Sequence, residues 1–261
     1  MDVQTNEGFC NWVRDLCLSN DETIRGEMPG LVDELYELIG DVGRLINKEI
    51  DSNSLFEYAL RFITHPMVYS IPLIVLGCMP YHLFYTARLI IESLTVGLYE
   101  DFWNRDWAFC EKLKDAADFR MGNLVNCGGP KCDRYVKLGQ KINEVLGWLR
   151  DELGAEPVDF IYEIYDTLSK MIHPITRMRC GDSIGGAFGI ALTAFVYETP
   201  PMRVMLQPAE CKGDVKVLKA FYVTITHTRL ITNMLVYAWG SLTGRLSSEE
   251  LEDVRRRIGM R

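Results

Sequence analysis

DFIYEIYDTLSKMIHP, running from Asp159 to Pro174, decides how this chain is read. At 3.6 residues per turn, Ile161, Ile164, Leu168 and Ile172 fall on one side of a helix. Tyr162, Asp166, Ser169 and His173 share an arc of roughly 60° beside that stripe. Pro157 suits the first turn of such a helix, and Pro174 stops it. The run is therefore amphipathic, with hydroxyls, a carboxylate and an imidazole at the margin of its apolar face.

The same period recurs nearly throughout the chain. Gly8 to Leu18 reads as a short helix carrying Phe9, Trp12, Val13 and Leu16. Pro29 opens a longer one with a stripe of Leu31, Leu35, Leu38, Val42, Leu45 and Ile46. Ser52 or Asn53 caps the next, which should end near His65-Pro66. A proline-interrupted segment follows, then helices over Tyr81–Glu100, Asn104–Phe119 and Tyr135–Leu153. Val215 to Tyr237 is rich in β-branched residues, but its length and lack of turn signals favour helix. Ser247-Ser-Glu-Glu250 begins a final short helix. The only extended segment expected is a short one near 202–207, after Thr199-Pro-Pro201. The expected architecture is a single all-α domain over 1–261, a bundle of about nine or ten helices by this reading.

Composition sets the outer bounds. With 48% hydrophobic and 25% charged residues, the chain affords a packed core. A net charge of −8 disfavours nonspecific binding to nucleic acid and gives no DNA signal. Arg255, Arg256, Arg257 and Arg261 form one local basic concentration, read as cations offsetting a helix C-terminus. The start, MDVQTNEGFCNWVRD, lacks a basic n-region and an apolar h-region, so a cytoplasmic location is expected. Arg exceeds Lys and Gln is scarce, a lean toward a thermophilic source.

Met67 to Ala87 contains no Asp, Glu, Lys or Arg over a length that could span a bilayer. Pro72, Gly77, Pro80 and His82 interrupt it, so a buried central segment is expected, with a membrane-associated protein kept as an alternative.

The second informative run is LFYTARLIIESLTVGLY, Leu83 to Tyr99. Arg88 and Glu92 stand one turn apart among Leu89, Ile90, Ile91 and Leu94. A guanidinium in such company needs partners, and Glu92 satisfies only part of its fork. His173 or Asp166 from a facing helix is a candidate third partner. In the non-catalytic alternative, the same residues simply tie two helices together.

Arg-x-x-x-Glu on an early core helix, with Tyr-x-x-Leu-Ser-x-x-x-His-Pro closing a later one, resembles helical proteins related to the HEPN superfamily. The resemblance covers Leu83–Leu98 and Ile161–Pro174. It implies an α-helical, often dimeric protein, and a metal-independent ribonuclease of toxin–antitoxin or defence type. By the resemblance, Arg88 would stabilise phosphate charge and His173 would act as general acid or base. Ser169 and Glu92 would orient that pair. Tyr162 and Asp166, from their place on the helical arc, are the expected binding residues. RNA or a small ligand and a second copy of the chain are the partners implied. The active HEPN signature places a His four to six residues after its Arg, and no His follows Arg88 at that spacing.

The remaining motifs yield little. Cys127 and Cys132 flank a Gly-Gly-Pro loop without a second ligand pair at zinc-site spacing. Cys180 and Cys211 bracket the glycine-rich stretch Ser183–Tyr197 and are candidates for pairing; Cys10 and Cys17 read as packing residues. His65 reads as a helix-end residue, and His82 and His227 as core histidines. There is no HExxH, Walker or Gly-x-Ser-x-Gly motif, so no metal or cofactor is expected.

Overall fold

The computed structural model describes residues 6–46, 51–121, 138–172 and 210–259. The fold is all-α, with nine helices and no strand among the described residues. The stretch near 202–207 lies outside them, as do His173, the Gly-Gly-Pro loop, Cys180 and the glycine-rich run.

Helix α1 is Asn6–Glu27, longer than the Gly8–Leu18 expected. Its buried positions Leu16, Asn20 and Ile24, spaced four apart on one face, carry the helix past Leu18. The buried amide at Asn20 is matched on both sides. Its Nδ2 donates to the Leu76 carbonyl at 2.7 Å, and its Oδ1 accepts from the Cys211 N–H at 2.7 Å. Helix α2 is Pro29–Leu45, with Pro29 in its first turn and Leu31, Leu38 and Val42 buried.

Helix α3 departs most from expectation. Ser54, rather than Ser52 or Asn53, is the N-cap, accepting from the Glu57 N–H at 3.1 Å. The helix runs Leu55–Ala59, widens into a π turn at Leu60–Thr64, and continues as His65–Leu76. It does not stop at His65-Pro66. The wider turn, in which the His65 N–H donates to the Leu60 carbonyl, carries the backbone through a proline that an unbroken α ladder disfavours. Leu55–Leu76 is the one helix among the described residues long and apolar enough to cross a membrane; a third of its most apolar 18-residue stretch is buried. Met67–Ala87 is not one segment, because a turn at Gly77–Met79, with Cys78 at φ +51°, divides it.

Helix α4, Pro80–Trp103, starts on a proline. Asn104 to Ala108 is a turn, and α5 is Phe109–Met121. Helices α6, Leu138–Leu153, and α7, Ala155–Ile172, are separated by Gly154 at φ +91°, whose N–H donates to the Arg150 carbonyl at 3.0 Å. Helix α8, Val215–Thr243, absorbs the β-branched run, because Phe221, Ile225, Ile231 and Leu235 all need burial on helical faces. Helix α9, Ser248–Ile258, has a capping box of Ser247 and Glu250 and a left-handed Gly259 cap.

The residues gather into two compact units. The first takes the described residues of Met1–Gly40, Met67–Arg88 and Tyr165–Thr228. Its core includes Leu31, Leu38, Ile71, Leu83 and Leu218, and a Cys78–Cys211 disulfide closes it. Cys211 therefore pairs with Cys78 and not with Cys180. The second takes those of Asp41–Pro66, Leu89–Ile164 and Arg229–Arg261. There Phe56 stacks on Trp239 with ring centroids 5.0 Å apart, and Leu94, Leu98, Leu149 and Leu235 are buried in the same unit.

Candidate functional site

Arg88 sits on α4, half-buried, at the close of the first unit's stretch of that helix. Its guanidinium carbon lies 5.8 Å from the ring centroid of Tyr165, which α7 contributes to the same unit. A guanidinium over an aromatic face keeps its charge partly desolvated while attracted to the ring's π density. The Arg88 helix and the helix that leads to His173 are therefore partners. Tyr165 is the tyrosine of the Tyr-x-x-Leu-Ser motif, but the sequence reading gave it no role because it falls between the apolar stripe and the polar arc, one residue before Asp166.

The other expected residues divide as follows. Glu92 is half-buried, one turn beyond Arg88, and engaged in a polar contact. Asp166 is half-buried and also engaged. Tyr162 is exposed on α7. Ser169 lies in the last turn of α7, with its side chain outside the described set, and His173 lies beyond it. Arg88 thus meets Tyr165, a contact that the sequence reading did not name. No group of three or more His, Cys, Asp or Glu suited to a metal ion occurs among the described residues.

The second unit holds three buried ionic clusters that the sequence reading missed. In the first, the Asp41 carboxylate, 1% exposed, accepts from Arg44 at 2.5 Å, Arg229 at 2.9 Å and Asn233 at 2.8 Å, with Arg257 at 3.3 Å. Burial pushes the Asp41 carboxyl up, but the Asn233 and Arg229 hydrogen bonds, with Arg44 and Arg257, outweigh it and hold it below its ordinary value. Arg257 also pairs with Asp253. The C-terminal arginines thus do more than offset a helix end.

In the second cluster, Asp101 caps the start of α3 from a distance. Its oxygens accept from the Ser54 hydroxyl at 2.5 Å and from the N–H groups of Leu55 and Phe56 at 2.8 and 3.1 Å. Lys112 neutralises it at 3.2 Å. A carboxylate at a helix N-terminus is well placed by the macrodipole and its unpaired N–H groups.

In the third, Lys141 is fully buried between two carboxylates, Glu100 at 2.5 Å and Asp115, with Tyr99 5.1 Å away. Asn104 donates to the other Glu100 oxygen at 2.7 Å. Two acids share one ammonium, and burial pushes the Glu100 carboxyl up to about 7 despite the attraction of Lys141. Burial, then Glu144, Glu100 and Asp115, push the Tyr99 phenol up to about 12.

A usable signal existed for two of these. Asp41 and Lys141 stand on the apolar stripes of their own helices, next to Val42 and Ile142, as Arg88 does on α4. Comparison with protein-family models, curated proteins and solved structures finds no match to this chain.

Proposed function

We propose that this chain is a HEPN-like helical protein whose Arg88 and His173 act on an RNA phosphodiester without a metal ion. Arg88 supplies positive charge to the phosphate, and His173 transfers a proton as general acid or base. The observation that carries the reading is the Arg88–Tyr165 contact, which joins the two motif-bearing helices. From Tyr165, α7 rises about 6 Å to Ser169.

The test is cleavage of a short single-stranded RNA in the presence of a chelator. Wild type should cut, while Arg88→Ala and His173→Ala should each lose about 100-fold or more of the rate. Melting temperatures should stay close to wild type. Absence of cleavage by wild type, or its loss on chelation, would sink the proposal.

One observation favours a second, non-catalytic reading. The chain ties its second unit together with buried ion clusters around Asp41, Asp101 and Lys141. If Arg88 is a tie of the same kind, Arg88→Ala lowers the melting temperature and RNA is untouched by every form of the protein.

A further inference from the structure

Glu100, Asp115 and Lys141 come from three helices, α4, α5 and α6, and meet out of reach of water. The side chains of Glu100 and Lys141 are fully buried, and that of Asp115 is nearly so. Cleavage of RNA at Arg88 and His173 makes no use of them.

Two acids and one cation do not balance. With both carboxylates ionised, the joint would hold a net negative charge that burial makes costly. The contacts show how balance is kept. Lys141 Nζ donates to one Glu100 oxygen at 2.5 Å and to Asp115. Asn104 donates to the other Glu100 oxygen at 2.7 Å. Glu100 and Asp115 also hydrogen-bond each other. Two ionised carboxylates have no hydrogen to share, so that bond needs a proton on one of them.

The groups facing the trio bring no second cation. Tyr99 of α4 lies 5.1 Å from the ammonium, and Glu144 of α6 acts on Tyr99 with the same sign as the two acids. Lys112 of α5 is committed to Asp101 at 3.2 Å and to the Asn53 carbonyl at 3.0 Å. That pair also gives α5 its own tie to α4. Helix α6 is tied to α4 and α5 through Lys141.

We propose that Glu100, Asp115 and Lys141 form a proton-operated latch that holds α6 against α4 and α5. With its proton the trio is neutral and closed. Release of that proton to solvent leaves one uncompensated negative charge, and entry of water into the joint relieves it. Burial pushes the Glu100 carboxyl up to about 7 despite Lys141, which places the change near neutral pH. The opening is local to α6, because Arg257 ties α9 to Asp41, whose carboxyl is held below its ordinary value and stays ionised throughout.

The test is amide hydrogen exchange of the full chain by mass spectrometry at about pH 6 and about pH 8.5, corrected for the intrinsic change in exchange rate. Peptides from Leu138–Leu153 should lose about tenfold in protection at the higher pH, and those from Ser248–Ile258 should not change. Glu100→Gln and Asp115→Asn each leave one carboxylate for one ammonium, so α6 protection in both should become independent of pH. Infrared difference spectra of the wild type alone provide a second readout. One protonated-carboxyl band should be present at the lower pH and absent at the higher. Protection of α6 that follows the intrinsic rate, an unchanged pH response in both variants, or a wild type without that band would each overturn the latch.

Discussion

Glu100 shows how strongly one side chain depends on its surroundings. Its carboxylate is fully buried with Lys141 and Asn104, beside Asp115 and Tyr99, and Glu144 faces Tyr99. Because the folded-state value rises from 4.5 to about 7, the folded protein holds this proton more tightly than the unfolded chain. The resulting stability is complete below the ordinary carboxylate value and is lost as pH rises through about 7. Glu100→Gln should therefore flatten the melting-temperature profile between about pH 5 and pH 8 relative to wild type. An unchanged profile would show that Glu100 stays ionised. Asp41 works in the opposite sense. Its folded value is depressed, so its contribution is present above the ordinary value and fades as pH falls through the folded one. Asp41→Ala takes the shared carboxylate from the half-buried Arg229 and leaves Arg257 with Asp253 alone, which should cost about 3 kcal/mol in urea unfolding at neutral pH. A loss under about 1 kcal/mol would class the cluster with exposed pairs.

At the scale of elements, α4 and α3 approach so closely that only glycine fits at position 97. A Cβ there would stand 2.7 Å from the Phe56 Cα and 3.0 Å from its backbone nitrogen. Both are main-chain atoms that cannot swing aside. Gly97→Ala should destabilise by about 2 kcal/mol through overpacking, read from the urea midpoint. An unaffected midpoint would mean the helices part without cost. The same element scale shows what could be read early. Pro29, Ser247 with Glu250, and the repeating stripes marked helices α2, α7 and α9 because capping chemistry and 3.6-residue periodicity are local. The π turn in α3 was not legible. His65-Pro66 looks like a stop, and the continuation rests on Val68, Ile71 and Val75 being buried beyond it.

For the molecule as a whole, the disulfide between Cys78 and Cys211 joins residues 133 positions apart. It lies inside the first unit, where Asn20 bonds the backbone beside each cysteine, at Leu76 and Cys211. A link across so long a loop restricts the unfolded chain strongly. Replacing both cysteines with alanine should lower stability by about 5 kcal/mol in the chain-entropy account. An unfolding curve superimposing on wild type would remove the bond from the list of what holds the unit together. The pairing was out of reach of sequence because eight cysteines allow many connectivities, and spacing does not measure distance in space.

By itself the sequence determined that this protein is helical, roughly where the helices lie, and that Arg88 needs unusual company. Those are consequences of local periodicity and of the cost of placing charge on an apolar face. Tertiary structure decided that Tyr165 supplies part of that company, that Cys78 bonds Cys211, and that Asp41, Asp101 and Lys141 are buried among opposite charges. Each of these depends on segments far apart in the chain becoming neighbours. Burial and Coulomb attraction act through space, and the order of residues along the chain does not specify them.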